Sequence, residues 1–159
     1  MDQLLRILQE NAKTSHDEIA KMLGIGLDEV ETKIKKLEED GVLVGYTCIL
    51  NDEKLSHDLV RAVIEVKLTP EREGGFDRLA RRIAKHDEVK TCYLMSGGYD
   101  LLVIVEGSDL KSVASFVSEK LATINGVVST GTHFMLKTYK SQGVMVQEEP
   151  KEERLPVTP

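Results

Sequence analysis

Apolar positions recur every three to four residues through the first third of this chain and every second residue in much of the remainder. Between Asp2 and Asn11, Leu4, Leu5 and Leu8 share one stripe of a short helix. Ser15 opens a second helix in a capping box with Glu18, and Ile19, Ala20 and Leu23 follow at helical spacing. Gly24-Ile25-Gly26 breaks it. A third helix runs from about Leu27 to Asp40 on the stripe Leu27, Val30, Ile34 and Leu37, and Gly41 ends it. Two helices joined by a glycine-containing turn, the second longer, form a helix-turn-helix pattern. Val42–Leu50, with Gly45 in its middle, predicts a strand or small hairpin, which makes the unit a winged helix-turn-helix. About 50 residues bury too little surface to be robust alone, so the unit is expected to lean on a partner.

Beyond the polar stretch Asn51–Leu59 the period falls to two. Ala62, Ile64, Val66 and Leu68 alternate with Arg61, Glu65 and Lys67, and Pro70 closes that strand. Phe76, Leu79, Ala80, Ile83 and Ala84 predict a helix over Gly75–His86. Val89, Thr91, Tyr93 and Met95 alternate along a second strand. Leu101–Val105 is an unbroken apolar run, as in a strand buried on both faces. Gly97-Gly98 between them predicts a tight hairpin, because such turns need positive φ. Asp109 caps a helix through Ile124 with the stripe Leu110, Val113, Ala114, Val117, Leu121 and Ile124, and Asn125-Gly126 ends it. Val128, Thr130, Thr132, Phe134 and Leu136 alternate along the last strand.

Strand–helix–strand, twice, is a duplicated split βαβ, the ferredoxin-like βαββαβ arrangement. The class is therefore α+β. Both helices lie on one face of a four-stranded sheet. Val63 belongs to the other face, with Thr130 and Thr132 as further candidates, and that face would expose more apolar surface than a monomer tolerates. At least a homodimer is expected. Val144-Met145-Val146 predicts an added edge strand; the rest of the tail, with four glutamates and three prolines, reads as mobile and charged. The domain plan is 1–50 winged helix-turn-helix, 51–59 linker, 60–138 ferredoxin-like domain, and 139–159 tail.

The 159 residues, 41% hydrophobic and 30% charged, fit a globular chain. No apolar run approaches the roughly 18 residues of a membrane span, and the N-terminus has no signal-peptide pattern, so a cytoplasmic location and no membrane partner are expected. Cys48 and Cys92 stand apart with no CxxC, which argues for a reducing compartment and against zinc; both read as core thiols. No metal or cofactor site is evident. The net charge of −6 is unevenly placed: residues 1–58 carry 7 Lys/Arg against 13 Asp/Glu, and the remainder balances.

The Gly97-Gly98 turn carries candidate chemistry. Backbone N–H groups unshielded by a Cβ suit a carboxylate, and Asp100 suits an ammonium, with Ser96 and Tyr99 alongside. That is the equipment for an amino-acid-sized ligand. Asp100 as a simple turn cap is the competing structural role.

Several fixed-spacing motifs now stand in order: Ile19-Ala20, Leu23-Gly24, Val30, Ile34, Leu37-Glu38, Gly41-Val42, Gly45-Tyr46, then Gly97, Tyr99-Asp100-Leu101, Gly126-Val127, Thr130 and Thr132. Over about residues 2–138 they resemble the Lrp/AsnC (feast/famine) family of transcription regulators. The resemblance implies DNA binding by the first domain and sensing of an amino acid by the second, a RAM-type domain, in dimers that associate further, to octamers. It points to Met95, Ser96, Gly97, Gly98, Tyr99 and Asp100 at the effector, with Thr130 and Thr132. On the DNA side it points to Thr32, Lys33, Lys35 and Lys36 on the third helix, with Lys13 and Lys21 as further phosphate candidates. Lys33 stands where the family usually has Arg, and Lys does not reproduce a bidentate guanidinium contact.

Two other functions compete. The third helix opens with Asp28, Glu29 and Glu31, and carboxylates repel phosphates, although they also complement a helix N-terminus. An acidic first domain that serves assembly only would leave a metabolite-binding protein. An enzyme resembling siroheme decarboxylases is the third reading. His16, His57, His86 and His133 are scattered, no nucleophile–base pair is visible, and His133 alone lies near the expected ligand. A non-enzymatic regulator fits the sequence best.

Overall fold

The computed structural model describes residues 2–55, 59–70 and 75–147, in two compact units, 1–48 and 49–159. The first holds α1 (Gln3–Glu10), α2 (His16–Leu23) and α3 (Leu27–Glu39). Their core is Leu4, Ile7, Leu8, Ile19, Ala20, Val30 and Ile34. Ile7 takes the place expected of Leu5, because Leu4, Ile7 and Leu8 sit three and four residues apart. Leu27, expected on the buried stripe, is exposed at the first turn of α3. The capping box at Ser15 and Glu18 forms, and Gly24 ends α2 in the left-handed conformation. Gly41 has φ +67°, which lets Val42 and Leu43 donate back to the Leu37 carbonyl and close α3. The strand or small hairpin expected over Val42–Leu50 does not form: residues 44–50 belong to no ladder among the described residues. Val42, Val44, Tyr46 and Leu50 are exposed along this segment.

The second unit is built on a four-stranded antiparallel sheet in the order β2-β3-β1-β4, from β1 (Val60–Leu68), β2 (Val89–Leu94), β3 (Leu101–Gly107) and β4 (Val127–Phe134). Helices α4 (Asp77–Ala84) and α5 (Leu110–Ser115) contribute to one core with β1 and β3: Ala62, Ile64, Val66 and Leu68, Leu101, Val103 and Val105, Leu79, Ile83 and Val113. Asp109 and Ser112 form the capping box that starts α5. That helix passes into a π-helical segment, Phe116–Leu121. Phe116, three residues after Val113, lies in the core, and Leu110 and Ala114, expected on the buried stripe, are exposed. Gly126 (φ +100°) returns the chain to β4, and a Cβ there would stand 2.7 Å from a Leu79 methyl carbon.

Lys90 sits at a register shift in β2, after which Cys92 pairs with Val103, and Thr91 and Tyr93 pair with Ile104 and Leu102. The expected alternation is thus inverted beyond the shift: Cys92 faces the helices, and Thr91 and Tyr93 the open side. Thr130 and Thr132 also depart from expectation. They pair with Val66 and Ile64, which point to the helices, so the open-face positions of β4 are Ser129, Gly131 and His133. The open face carries Val63, Leu102, Ile104 and Tyr93, crossed by the pairs Arg61–Glu106 and Glu65–His133. It is mixed rather than uniformly apolar.

Asp52–Lys54 is a 3₁₀ turn, and Lys140–Ser141 pairs with Val144–Met145 in a separate two-stranded ladder, β5 and β6. The expected edge strand on the main sheet is therefore a small hairpin of its own, and the Glu- and Pro-rich stretch beyond it lies outside the described residues. Cys48, expected in a core, is exposed, while Cys92 is half-buried against α4, its Sγ 3.9 Å from the Ala80 carbonyl. Burial pushes the Cys92 thiol up, and the thiolate is the reacting form. A disulfide reagent at pH 8 is expected to label Cys48 at least about tenfold faster than Cys92, with the two rates converging in denaturant. Stopped-flow absorbance with single Cys→Ser variants checks this.

Candidate functional site

Two stretches carry the candidate chemistry, one in each unit. On α3, Val30 and Ile34 face the core, which turns Asp28, Thr32, Lys35, Lys36 and Glu39 outward; all five are exposed. The Thr32 hydroxyl donates to the Asp28 carbonyl at 2.7 Å. Lys33 pairs with Glu29 at 2.8 Å, Lys35 with Glu39 at 3.8 Å, and Glu31 with His16 of α2 at 3.6 Å. The hydrogen bond that the Lys33 ammonium donates to Glu29 holds its pKa above the ordinary value. Of the four residues expected at DNA, Thr32, Lys33 and Lys35 are engaged within the unit, and no ion pair of Lys36 is seen among the described residues. Exposed pairs of this kind are worth about 0–1 kcal/mol, so the carboxylates hold these side chains only weakly.

In the second unit Met95–Asp100 connects β2 to β3. It is a six-residue loop rather than the tight turn its glycines predicted. Gly97 has φ +154° and Gly98 has no positive φ, so the two-residue primed geometry does not form. Met95, Ser96, Gly97 and Gly98 are exposed, and a Cβ built on either glycine meets nothing within 4 Å. The backbone over these residues is open to an incoming group. Asp100 is held three ways. Its N–H donates to the Val66 carbonyl at 3.0 Å, its carbonyl accepts from Met95 N–H at 2.8 Å, and Oδ2 accepts from Leu68 N–H at 2.7 Å. The carboxylate therefore caps the end of β1 rather than its own turn. A carboxylate has about four acceptor sites, so this bond leaves capacity on Oδ1. Tyr99 is half-buried beside it.

Thr130 does not join this loop directly. Val66 pairs with both Leu101 and Thr130, which puts Thr130 two strand spacings, about 10 Å, from Leu101. Thr132 lies further along β4. His133, the histidine singled out for an enzymatic role, pairs with Glu65 at 3.6 Å on the open face. No group of three His, Cys, Asp or Glu able to hold a metal occurs among the described residues.

At the opposite end of β1 lies a cleft of about 250 Å³, lined by Asp52, Arg61, Met135, Lys137, Val146 and Gln147 among others. Arg61 lies between Asp52 and Glu106, with Nε 2.5 Å from Glu106. Sequence reasoning missed this arrangement, because Asn51–Leu55 reads as linker and Asp52 carries no local signal. The Arg61–Glu106 half was accessible, since those residues face each other in the β1–β3 register.

Comparison with known proteins bears on both stretches. Residues 3–44 match the winged helix-turn-helix DNA-binding family, and residues 61–145 match the Lrp/AsnC ligand binding domain. The chain is 45% identical over 158 residues to the HTH-type transcriptional regulator YugG of Bacillus subtilis, covering 99% of this chain and 95% of that one. It is 32% identical to the HTH-type transcriptional regulator LrpA of Pyrococcus abyssi, covering 86% and 94%. Among solved structures, the transcriptional regulator NMB0573 of Neisseria meningitidis, in complex with L-methionine, is 25% identical with a TM-score of 0.66, covering 89% and 93%. No helix among the described residues is long and apolar enough to cross a membrane.

Proposed function

The chain belongs to the Lrp/AsnC family of transcriptional regulators, and from that premise we propose that it is an amino-acid-responsive regulator acting as a homodimer or a larger assembly of dimers. The observation that carries the reading is the Met95–Asp100 loop. It offers uncovered backbone beside a fixed carboxylate, complementary to the carboxylate and ammonium of a free amino acid. The methionine complex of the Neisseria relative supports that ligand class. We assign Met95, Ser96, Gly97, Gly98, Tyr99 and Asp100 to the effector, with Thr130 and Thr132 in outlying positions. Thr32, Lys33, Lys35 and Lys36 are assigned to DNA. A two-fold dimer sets two recognition helices in successive major grooves, roughly 34–36 Å apart. The effector acts by binding one subunit arrangement better than another.

Two measurements test this. A thermal-shift panel of the amino acids is expected to yield a ligand that, at about 100 times its Kd, stabilises by roughly 2.7 kcal/mol, a shift of at least about 5 °C. Gel shifts against the upstream region of the chain's own gene are expected to give sequence-dependent binding well below the nonspecific range of roughly 10⁻⁴–10⁻⁶ M. Amino-acid binding without a DNA shift would select the metabolite-binding assembly protein instead, the reading that the −6 charge over residues 1–58 favours.

A further inference from the structure

The acids that open α3 are not equivalent. Glu29 is matched by Lys33 and Glu31 by His16, each within the first unit. The Asp28 carboxylate has no such match among the described residues, and it heads the outward stripe that continues through Thr32 to Lys35 and Lys36. We infer that Asp28 is a base-reading residue of α3 and that it selects a C·G pair by accepting a hydrogen bond from cytosine N4–H. This rests on the regulator reading of the same helix, and it names a specificity that reading leaves open.

Three steps carry it. The N-terminal residues of a recognition helix meet base edges, and Asp28 is the second residue of α3, turned away from the core. An ionised carboxylate only accepts. In the major groove only cytosine N4 and adenine N6 donate, and adenine N7, an acceptor beside N6, repels a carboxylate. Cytosine is left. Lys36 lies eight residues on, about 12 Å along the helix axis, on the same stripe, where it reaches a phosphate as the groove turns away.

The test is competition binding of the full-length protein to a duplex series carrying each base pair in turn at every position of the site. Wild type is expected to prefer C·G at one position per half-site by between about fivefold and a hundredfold. Asp28→Ala is expected to lose that preference and keep the others. Asp28→Asn, which retains the shape and helix content, is expected to move it to A·T, because Asn pairs with adenine N6 and N7. Circular dichroism confirms that both variants fold. Unchanged preferences with uniformly tighter binding in Asp28→Ala would overturn the inference, since that is what removing a charge repelled by phosphate produces. A wild type with no sequence dependence would sink the regulator reading first, and this inference with it.

Discussion

Asp100→Ala is expected to destabilise the second unit by about 1–3 kcal/mol and to abolish effector binding, whereas Asp100→Asn separates the two effects. The first loss follows from the 2.7 Å bond that the carboxylate accepts from Leu68 N–H at the end of β1. Alanine leaves that N–H without its acceptor, and an unsatisfied part-buried donor costs about that much. Asparagine keeps an oxygen in the same place, so chemical denaturation of Asp100→Asn is expected within about 1 kcal/mol of wild type. It removes the negative charge, however, and a hydrogen bond to a charged group contributes about 1.5–3 kcal/mol. Calorimetric titration with the amino acid found in the thermal panel is therefore expected to show a Kd weakened by roughly ten- to a hundredfold. Wild-type affinity in Asp100→Asn would reduce the residue to a strand cap. The loop would then need another acid for the ammonium.

The Asp100 result also marks how far the sequence could be read. Its place beside Gly97-Gly98 was visible, because glycines and an acid between two apolar runs are local signals. Its partner was not, because Leu68 is 32 residues away and nothing in the spacing of β1 announces which N–H at its end lacks an acceptor. The element order, the capping box at Ser15, the cap at Asp109 and the helix stop at Gly41 are local and could be read directly. What failed were features set by register. One extra residue at Lys90 turned Thr91 and Tyr93 outward and Cys92 inward, since a shift of one exchanges the two faces of a strand. The same parity puts Thr130 and Thr132 on the helix side, because they pair with Val66 and Ile64, while Gly131 and His133 pair with Glu65 and Val63. Phe116, three residues after Val113, was open to a helical reading, although the expected stripe omits it; the π-helical segment Phe116–Leu121 carries no local signal. The strand expected over Val42–Leu50 fails for a different cause: residues 44–50 have the alternation of a strand but no ladder partner among the described residues. On the third helix the residue types were legible, yet the pairing of Glu29 with Lys33 and of Glu31 with His16, which singles out Asp28, needed coordinates.

Ile104→Lys is expected to convert the protein to a single 17.7 kDa particle, while wild type sediments at twice that mass or more. The continuous apolar run Leu101–Val105 is the reason. Leu101, Val103 and Val105 fill the core under the helices, and nothing in the chain's own packing requires the intervening Leu102 and Ile104 to be apolar. They sit on the open face beside Val63 and Tyr93, and Tyr93 remains 54% exposed. A strand that is apolar on both sides is one buried on both sides, so a second copy is the covering that this pattern anticipates. Gly131 and the Glu65–His133 pair, at one edge of that face, are polar rim. A lysine at position 104 lets its stem lie over the exposed sheet of a monomer, so far-UV circular dichroism is expected to be unchanged. Across a sealed interface the same ammonium has no partner, and burying it costs several kcal/mol, roughly a hundredfold or more in dimer affinity. DNA binding should weaken in parallel, because two half-site contacts held by one dimer become independent events. Sedimentation velocity at micromolar concentration decides it. A wild type already at 17.7 kDa, or a variant whose mass does not fall, would mean that this face is not where copies meet.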